Sequence, residues 1–173
     1  MKSISLRTFP FSKECLPDLL KKHSIFTNTY AEQYFSHAEF RTESSPIELQ
    51  IEIASLHELG FSKGAVLRDI PEVLPDYGLR PCRASTGLFL RIAWKEQEQS
   101  SNAVLTGTHQ APDSAVTVFS EPLEADDAFP KGLYLRNVDG KLWLRGFVCD
   151  DDYLWSGEDL FAFERSAQIR RLT

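Results

Sequence analysis

Long apolar runs are missing from this sequence. No stretch of its 173 residues approaches the roughly 18 apolar residues that a membrane-spanning helix requires. The basic start at Lys2 and Arg7 is followed by Pro10, Lys13 and Glu14 instead of an apolar segment. We therefore expect neither a helical membrane protein nor a secretory signal. The composition, 42% hydrophobic and 25% charged, is that of an ordinary globular domain.

Cysteine is also scarce. Cys15, Cys82 and Cys149 make an odd count, and none belongs to a CxxC pair or to the cysteine–histidine spacing of a zinc site. Free thiols in a reducing compartment are typical of such a pattern. We therefore predict a cytoplasmic protein without disulfides and without a bound metal.

Motifs for catalysis and nucleotide binding are absent as well. The sequence has no G-x-S-x-G, no G-x-G-x-x-G and no calcium-loop pattern of acids. His57-Glu58 begins like the zinc motif H-E-x-x-H, but Phe61 stands in place of the second histidine. A cysteine nucleophile would need a histidine base, for which Cys82 with His57 or His109 is the first pair to consider, although a structural thiol is the simpler interpretation. The sequence favours a protein without a cofactor and without catalysis.

Negative charge is concentrated in two stretches. Residues 110–130 and 149–160 each contain five acidic residues and no Lys or Arg. Together they contribute −10 to a net charge of −6, which leaves +4 for the rest of the chain. This separation is unlike the uniformly basic composition of most nucleic-acid-binding proteins, and it would speed association with a basic partner. Asp150, Asp151 and Asp152 could also offer oxygen ligands to a cation, but a solvated acidic loop explains them more simply.

The first 45 residues differ in pattern from the rest. Residues 18–23 predict a short helix with Pro17 tolerated in its first turn, and residues 30–40 predict a second helix. The polar, proline-containing segment 42–46 predicts a boundary after these helices. We therefore expect a helical N-terminal arm (1–45) and a sheet domain (46–173) that together form one structural unit.

The body of the chain alternates between short strands and turns. Residues 47–53 alternate with a period of two and predict a strand with one buried face. Further strands are predicted over residues 88–94, 103–108, 115–120 and 160–164, and Ser62 predicts the cap of a short helix that reaches Ile70. Helices followed by neighbouring strands indicate an α+β fold, here a mostly antiparallel sheet with a few short helices.

The clearest local signal is the pair Asp139-Gly140 between two alternating runs, which predicts a β-hairpin. Such a hairpin places the leucines at 133, 135, 142 and 144 on one side and four other residues on the opposite side. We call this second side the aromatic–basic face; it consists of Tyr134, Arg136, Trp143 and Arg145. Rings beside guanidinium groups can stack on sugars, bases or a partner's side chains, but they can also simply pair across the strands.

A succession of turn glycines and core residues runs through the body of the chain. It comprises Glu58-Leu59-Gly60-Phe61, Lys63-Gly64-Ala65, Gly78-Leu79-Arg80-Pro81-Cys82, Leu90-Arg91, Gly140-Lys141-Leu142-Trp143-Leu144 and Phe161-Ala162-Phe163. Over residues 47–165 this succession resembles a set of small uncharacterised bacterial proteins, whereas residues 96–112 look like an insertion. Because that set has no assigned function, the resemblance implies a bacterial cytosolic protein and nothing about its chemistry.

Two hypotheses about function follow. The first is a non-catalytic interaction module, such as an adaptor, immunity or antitoxin-like protein, whose acidic stretches bind a basic protein. The second is a small-molecule or polymer-binding protein, or a small enzyme, with its site at Tyr134 and Trp143. A homo-oligomer is compatible with both, and a membrane is not an expected partner. Nucleic-acid binding through the same aromatic–basic face is a third and weaker alternative, because the acidic loops would repel phosphate unless they point away. The candidate binding residues are Tyr134, Arg136, Trp143, Arg145, Asp150, Asp151 and Asp152.

Overall fold

Eight β-strands in the described part of the chain form one curled, mixed sheet. The computed structural model describes residues 1–101 and 111–166. The strands are β1 (Lys2–Arg7), β2 (Ile25–Phe26), β3 (Glu48–Ser55), β4 (Leu79–Arg80), β5 (Val116–Val118), β6 (Gly132–Val138), β7 (Lys141–Phe147) and β8 (Leu160–Arg165). Their order across the sheet is β1, β3, β8, β5, β6, β7 and β2, and β4 pairs with β8 beside this path.

Short helices connect the strands. The α-helices are α1 (Leu16–Lys22), α2 (Thr29–Ser36), α3 (Ile70–Val73) and α4 (Thr86–Ala93), and 3-10 helices lie at Lys13–Cys15, His57–Leu59, Leu67–Asp69 and Leu74–Tyr77. No helix within residues 1–101 or 111–166 is long and apolar enough to cross a membrane.

The prediction of a mostly antiparallel sheet behind a helical N-terminal arm is wrong. β5 pairs with β8 in parallel and β2 pairs with β7 in parallel, so the sheet is mixed. The chain begins with a strand, since β1 pairs antiparallel with β3 and places Lys2 opposite Ile53. The first 45 residues therefore contribute both edge strands of the sheet, and only α1 and α2 match the predicted helices. The alternation of serines with Ile4 and Leu6 carries the signal for β1, but it is only six residues long.

The strand predicted over residues 88–94 is wrong as well, because this segment lies in helix α4. A short apolar run fits a buried helix as well as a buried strand, so periodicity alone does not distinguish them. Two distant contacts fix the helix. The buried Glu164 carboxylate accepts hydrogen bonds from the Arg83 backbone N–H at 2.9 Å and from the Thr86 hydroxyl at 2.7 Å. A side chain at Gly87 would approach Leu133 at 3.1 Å, so the glycine lets α4 pack closely on the sheet.

The hairpin prediction is confirmed. Asp139 and Gly140 both have positive φ, 51° and 73°, as a two-residue type I′ turn requires. Tyr134 is the register partner of Arg145 and Arg136 that of Trp143, so these four side chains share one side of the sheet. β3 and β8 lie where strands were predicted, and β5 is shorter than predicted. The segment after Ser62 forms a 3-10 turn and the four-residue α3, and the strand predicted over residues 103–108 lies outside the described residues.

The hydrophobic core has two parts, one on each side of the sheet. On the first side, α2 packs against β6 and β7, and α4 packs against β1, β6 and β7. On the second side, the segment that contains α3 packs with Trp155 against Phe161 and Phe163 of β8. This second cover includes Leu56, Leu59, Ile70 and Leu74, so it lies over the β3–β8 half of the sheet. The β6–β7 half carries the aromatic–basic face on this same side.

Candidate functional site

One row of register partners defines the second side of the sheet. Ala54, Phe161, Thr117, Tyr134 and Arg145 stand next to one another on β3, β8, β5, β6 and β7. Register partners project to the same side of a sheet, so this row runs from the covered half to the aromatic–basic face. Thr117 and Tyr134 lie at the boundary between the two halves.

A cavity of about 320 Å³ opens at this boundary. Its floor is formed by Thr117, Phe119 and Phe147, and Leu67 and Pro71 cover it from the side of α3. Its charged lining residues are Arg68, Glu121, Lys131, Asp150 and Asp151. A volume near 300 Å³ with apolar walls and a few polar groups is typical of small-ligand pockets.

A second cavity of about 240 Å³ adjoins the first and shares Thr117, Phe147 and Cys149 with it. Tyr134, Tyr153 and Trp155 contribute aromatic walls. The indole N–H of Trp155 is buried and finds no acceptor among the described residues. We call the two adjoining cavities the cleft.

The cations that line the cleft already have partners. The Lys131 ammonium lies 2.7 Å from the Asp127 carboxylate and donates to the Ala125 carbonyl at 3.2 Å. Burial alone would lower the pKa of Lys131, but the Asp127 carboxylate outweighs burial, so this pKa is raised and the ammonium stays charged. The Arg68 guanidinium pairs with the Asp152 carboxylate at 3.2 Å.

The carboxylates that line the cleft are not neutralised in this way. Glu121, Asp150 and Asp151 form no ion pair with any residue in the described ranges. All three are exposed, and among the described residues the Asp150 side chain accepts one local hydrogen bond, from the backbone N–H of Asp152 at 3.1 Å. Within the described residues, the mouth of the cleft therefore carries carboxylates without a direct ion-pair partner next to aromatic walls, although Asp151 lies close enough to Lys131 to help raise its pKa.

The thiols do not resemble catalytic nucleophiles. Burial raises the pKa of the Cys149 thiol to about 11 despite the nearby Lys131. Burial, with the Glu164 charge as a second cause, raises the pKa of Cys82 well above its usual range, and its thiol donates to the Ala162 carbonyl at 3.3 Å. Of the two histidines considered as a base for Cys82, His57 is exposed and His109 lies outside the described residues. A thiolate nucleophile needs a lowered pKa, so Cys82 and Cys149 are suited to packing.

Metal binding has no support in the described part of the chain. There, no three His, Cys, Asp or Glu side chains are grouped so that they could hold a metal ion. Asp150, Asp151 and Asp152 are exposed, and Asp152 turns to Arg68.

The candidate residues from the sequence separate into two groups. Tyr134, Asp150 and Asp151 line the cleft, and Asp152 pairs with a lining residue. Arg136, Trp143 and Arg145 share the side of the sheet with Tyr134 but do not line the cavities. Arg136 is 9% exposed and donates to the Ser101 carbonyl at 2.8 Å, while the Arg145 guanidinium lies 5.2 Å from the centre of the Trp143 ring.

Sequence reasoning missed the residues that shape the cleft, namely Thr117, Phe119, Lys131 and Phe147. Phe147 could have been found, because it continues the two-residue period of Trp143 and Arg145 beyond the hairpin. Thr117 lies in the short strand β5, and Phe119, one residue beyond its end, continues the same two-residue period. Nothing in the local sequence points to Lys131, which follows a proline.

Comparisons with known proteins give no further guide: no protein-family model, no curated protein and no solved structure matches this chain. The resemblance of residues 47–165 to small bacterial proteins stays a prediction.

Proposed function

We propose that this protein is a non-catalytic binding protein whose cleft takes a small molecule with an apolar or aromatic body and a positively charged group. The observation that carries the proposal is the pair of adjoining cavities with aromatic walls and, at the mouth, carboxylates that form no ion pair with a described residue. Aromatic walls favour a flat apolar body, and a cation near ring faces and carboxylates is attracted by both.

The polar groups of the cleft support the same ligand class. Thr117 is only 3% exposed, lines both cavities and forms no side-chain hydrogen bond with a described residue. Together with the Trp155 indole N–H it gives the apolar interior two polar groups that a bound molecule could satisfy. Lys131 and Arg68 already form ion pairs with aspartates. A bound anion would therefore be attracted less strongly by these two residues than a bound cation by Glu121, Asp150 and Asp151.

Calorimetric titration with aromatic amines tests the proposal. Tryptamine and phenethylamine are the charged probes, and 2-phenylethanol is the matched neutral probe. We expect the amines to bind more tightly than the alcohol, and we expect the double variant Asp150→Asn/Asp151→Asn to reduce that difference. Asp18→Asn is the matched control, since Asp18 is an exposed residue of α1, which packs in the core on the first side of the sheet. Equal binding of amine and alcohol would contradict the proposed charge preference.

A second candidate function is a docking module for a basic protein partner, such as an adaptor, immunity or antitoxin-like protein. The observation that favours it is that Asp150 and Asp151 are exposed and adjacent at the mouth of the cleft and form no ion pair within residues 1–101 and 111–166. Exposed charge of one sign accelerates association with an oppositely charged surface and makes the rate fall with salt.

The two candidate functions differ in whether the floor of the cleft takes part in binding. A low-salt pull-down from bacterial cytosol with wild-type protein, with Asp150→Asn/Asp151→Asn/Asp152→Asn and with Thr117→Val separates them. Docking through the acidic loop predicts that the triple variant loses the captured protein while Thr117→Val retains it. Binding in the cleft predicts that Thr117→Val changes the affinity for the amine probes. We further infer a bacterial cytosolic protein; the three free cysteines support the reducing compartment, and the bacterial origin rests on the sequence resemblance alone.

A further inference from the structure

The hairpin of β6 and β7 carries positive charge that has no partner in the described part of the chain. Lys141 lies on the same side as Trp143 and Arg145 because the three residues alternate along β7. Arg136, Lys141 and Arg145 form no ion pair with a described residue. The turn residue Asp139 is the only acidic residue between positions 132 and 147. The hairpin is therefore a positive surface on an acidic protein.

Arg145 is the arginine of this hairpin whose hydrogen-bond donors are free for a ligand, as far as the described residues show. It is half-buried, it makes no hydrogen bond to a described residue, and its Nε–H is buried without an acceptor. Its guanidinium lies 5.2 Å from the centre of the Trp143 ring. A guanidinium on an aromatic ring keeps its N–H donors in one plane, where they match the two oxygens of a phosphate or carboxylate.

Aromatic rings continue the surface to the edge of the sheet. The rings of Trp143 and Phe26 have centres 5.3 Å apart, and Phe26, on the edge strand β2, is 42% exposed. The Lys141 ammonium lies 5.7 Å from the centre of the Phe26 ring. Cations thus stand at both ends of a pair of rings, so one ligand could stack on a ring and place an anionic group beside a cation.

We propose that the aromatic–basic face, extended by Lys141 and Phe26, binds a small anion that carries a planar ring, of which a nucleoside monophosphate is representative. Arg145 binds the oxyanion through parallel N–H donors, Lys141 adds attraction, and the exposed ring of Phe26 stacks on the ligand. The Arg136 guanidinium is buried and donates to the Ser101 carbonyl, so it does not contact the ligand directly. Its charge still makes the electrostatic potential at the face more positive.

A small anion fits better than a nucleic-acid strand. The whole chain carries a net charge of −6, and the unpaired carboxylates of the cleft lie on the same side of the sheet. A long polyanion would extend beyond the hairpin and meet this negative charge, whereas a single nucleotide would not. The face shares Tyr134 with the wall of the cleft, but the groups that bind the anion, Arg145, Lys141 and Phe26, do not line the cleft, so this proposal does not depend on the cation site there.

Isothermal titration with uridine 5′-monophosphate, uridine and inorganic phosphate tests this site. We expect the monophosphate to bind more tightly than uridine or phosphate alone, because only it uses the rings and Arg145 together. Arg145→Gln should weaken its binding about tenfold, the loss expected for one charge-assisted bidentate contact. Arg7→Gln is the matched control, since Arg7 is an exposed arginine on β1 at the opposite edge of the sheet and should leave binding unchanged.

A ring substitution completes the test. Phe26→Leu removes an exposed ring with little risk to the core. It should weaken the binding of the monophosphate and leave the binding of inorganic phosphate unchanged. Circular dichroism checks that each variant is folded. No binding of the monophosphate, or binding that Arg145→Gln leaves unchanged, would overturn the proposal. Tighter binding of longer oligothymidylates with a steep salt dependence would overturn it too, because the ligand would then be a single strand.

Discussion

Cys149 lies between the two cavities of the cleft, where burial raises the pKa of its thiol to about 11. At pH 8 the fraction of Cys149 present as thiolate should be well below that of an ordinary cysteine, whose pKa is about 8.5. We expect iodoacetamide to modify the exposed Cys15 at least about ten times faster than Cys149, measured by mass spectrometry of the two peptides. Equal rates would contradict the raised pKa of the Cys149 thiol.

The same shift makes stability depend on pH. The unfolded chain releases the Cys149 proton near pH 8.5, whereas the folded protein holds it until about pH 11. The contribution of Cys149 to the free energy of unfolding is therefore complete below the unfolded pKa and is lost as the pH rises through this window. Cys149→Ser should lessen the fall in the urea midpoint between pH 8 and pH 10, and an unchanged slope would contradict the assignment.

Glu164 is a buried carboxylate that holds the start of α4. It is 1% exposed, and its oxygens accept hydrogen bonds from Arg83, Thr86 and the Arg80 guanidinium, the last at 3.0 Å. We expect Glu164→Gln to lower the free energy of unfolding by about 1–3 kcal/mol, because a neutral amide replaces charge-assisted bonds. Glu48→Gln is the matched control, since Glu48 also pairs with an arginine but is exposed. Urea denaturation should detect no change for it.

At the scale of elements, the contact between β7 and α2 holds the hairpin in place. The Asn28 side chain caps α2 by accepting from the Ala31 N–H at 3.0 Å. The same amide accepts from the Gly146 N–H at 2.8 Å and donates to the Gly146 carbonyl at 3.0 Å. A side chain at Gly146 would come within 2.5 Å of the Tyr30 backbone, so only glycine permits this approach.

Gly146→Ala should therefore force α2 away from β7. We expect a loss of about 2 kcal/mol or more in the free energy of unfolding, because backbone atoms and not a flexible side chain would have to move. Gly140→Ala is the control: its φ is 73° but no atom lies near the added methyl group, so only the backbone cost of about 1 kcal/mol applies. A larger loss at Gly140 than at Gly146 would contradict this account of the contact.

Elements determined by neighbouring residues could be predicted from the sequence. Elements determined by contacts with residues far away in the sequence could not. The Asp139-Gly140 turn contains the residues its backbone needs, so the hairpin and its two faces follow from the sequence. Helix α4 begins where it does because of Glu164, which is 78 residues from Thr86. The buried Arg91 of α4 was missed for a different reason: its partners, the Trp94 carbonyl and the Gln97 side chain, are close in sequence, but among the described residues it forms no ion pair of the kind that its charge would suggest.

At the scale of the whole molecule, the sheet order and the cleft depend on which segments meet. β1 and β2 come from the first 26 residues yet lie at opposite edges of the sheet, and no local pattern specifies that arrangement. The cleft combines segments around Leu67, Thr117, Lys131 and Phe147, which are far apart in sequence. The acidic stretches were visible in the sequence, but only the structure shows that Asp127 and Asp152 form ion pairs while Asp150 and Asp151 form none with the residues it describes.

Unpaired charges that are kept for binding should cost stability in the free protein. Asp150 and Asp151 are adjacent like charges near Glu121, so Asp150→Asn/Asp151→Asn should raise the urea midpoint at low ionic strength. Because exposed charges are screened by salt, the gain should be present in about 20 mM NaCl and vanish near 0.5 M. Asp127→Asn is the opposing control, since it removes the partner of the buried Lys131 and should lower the midpoint. A double variant less stable than wild type at low salt would mean that the two aspartates serve the fold and not a ligand.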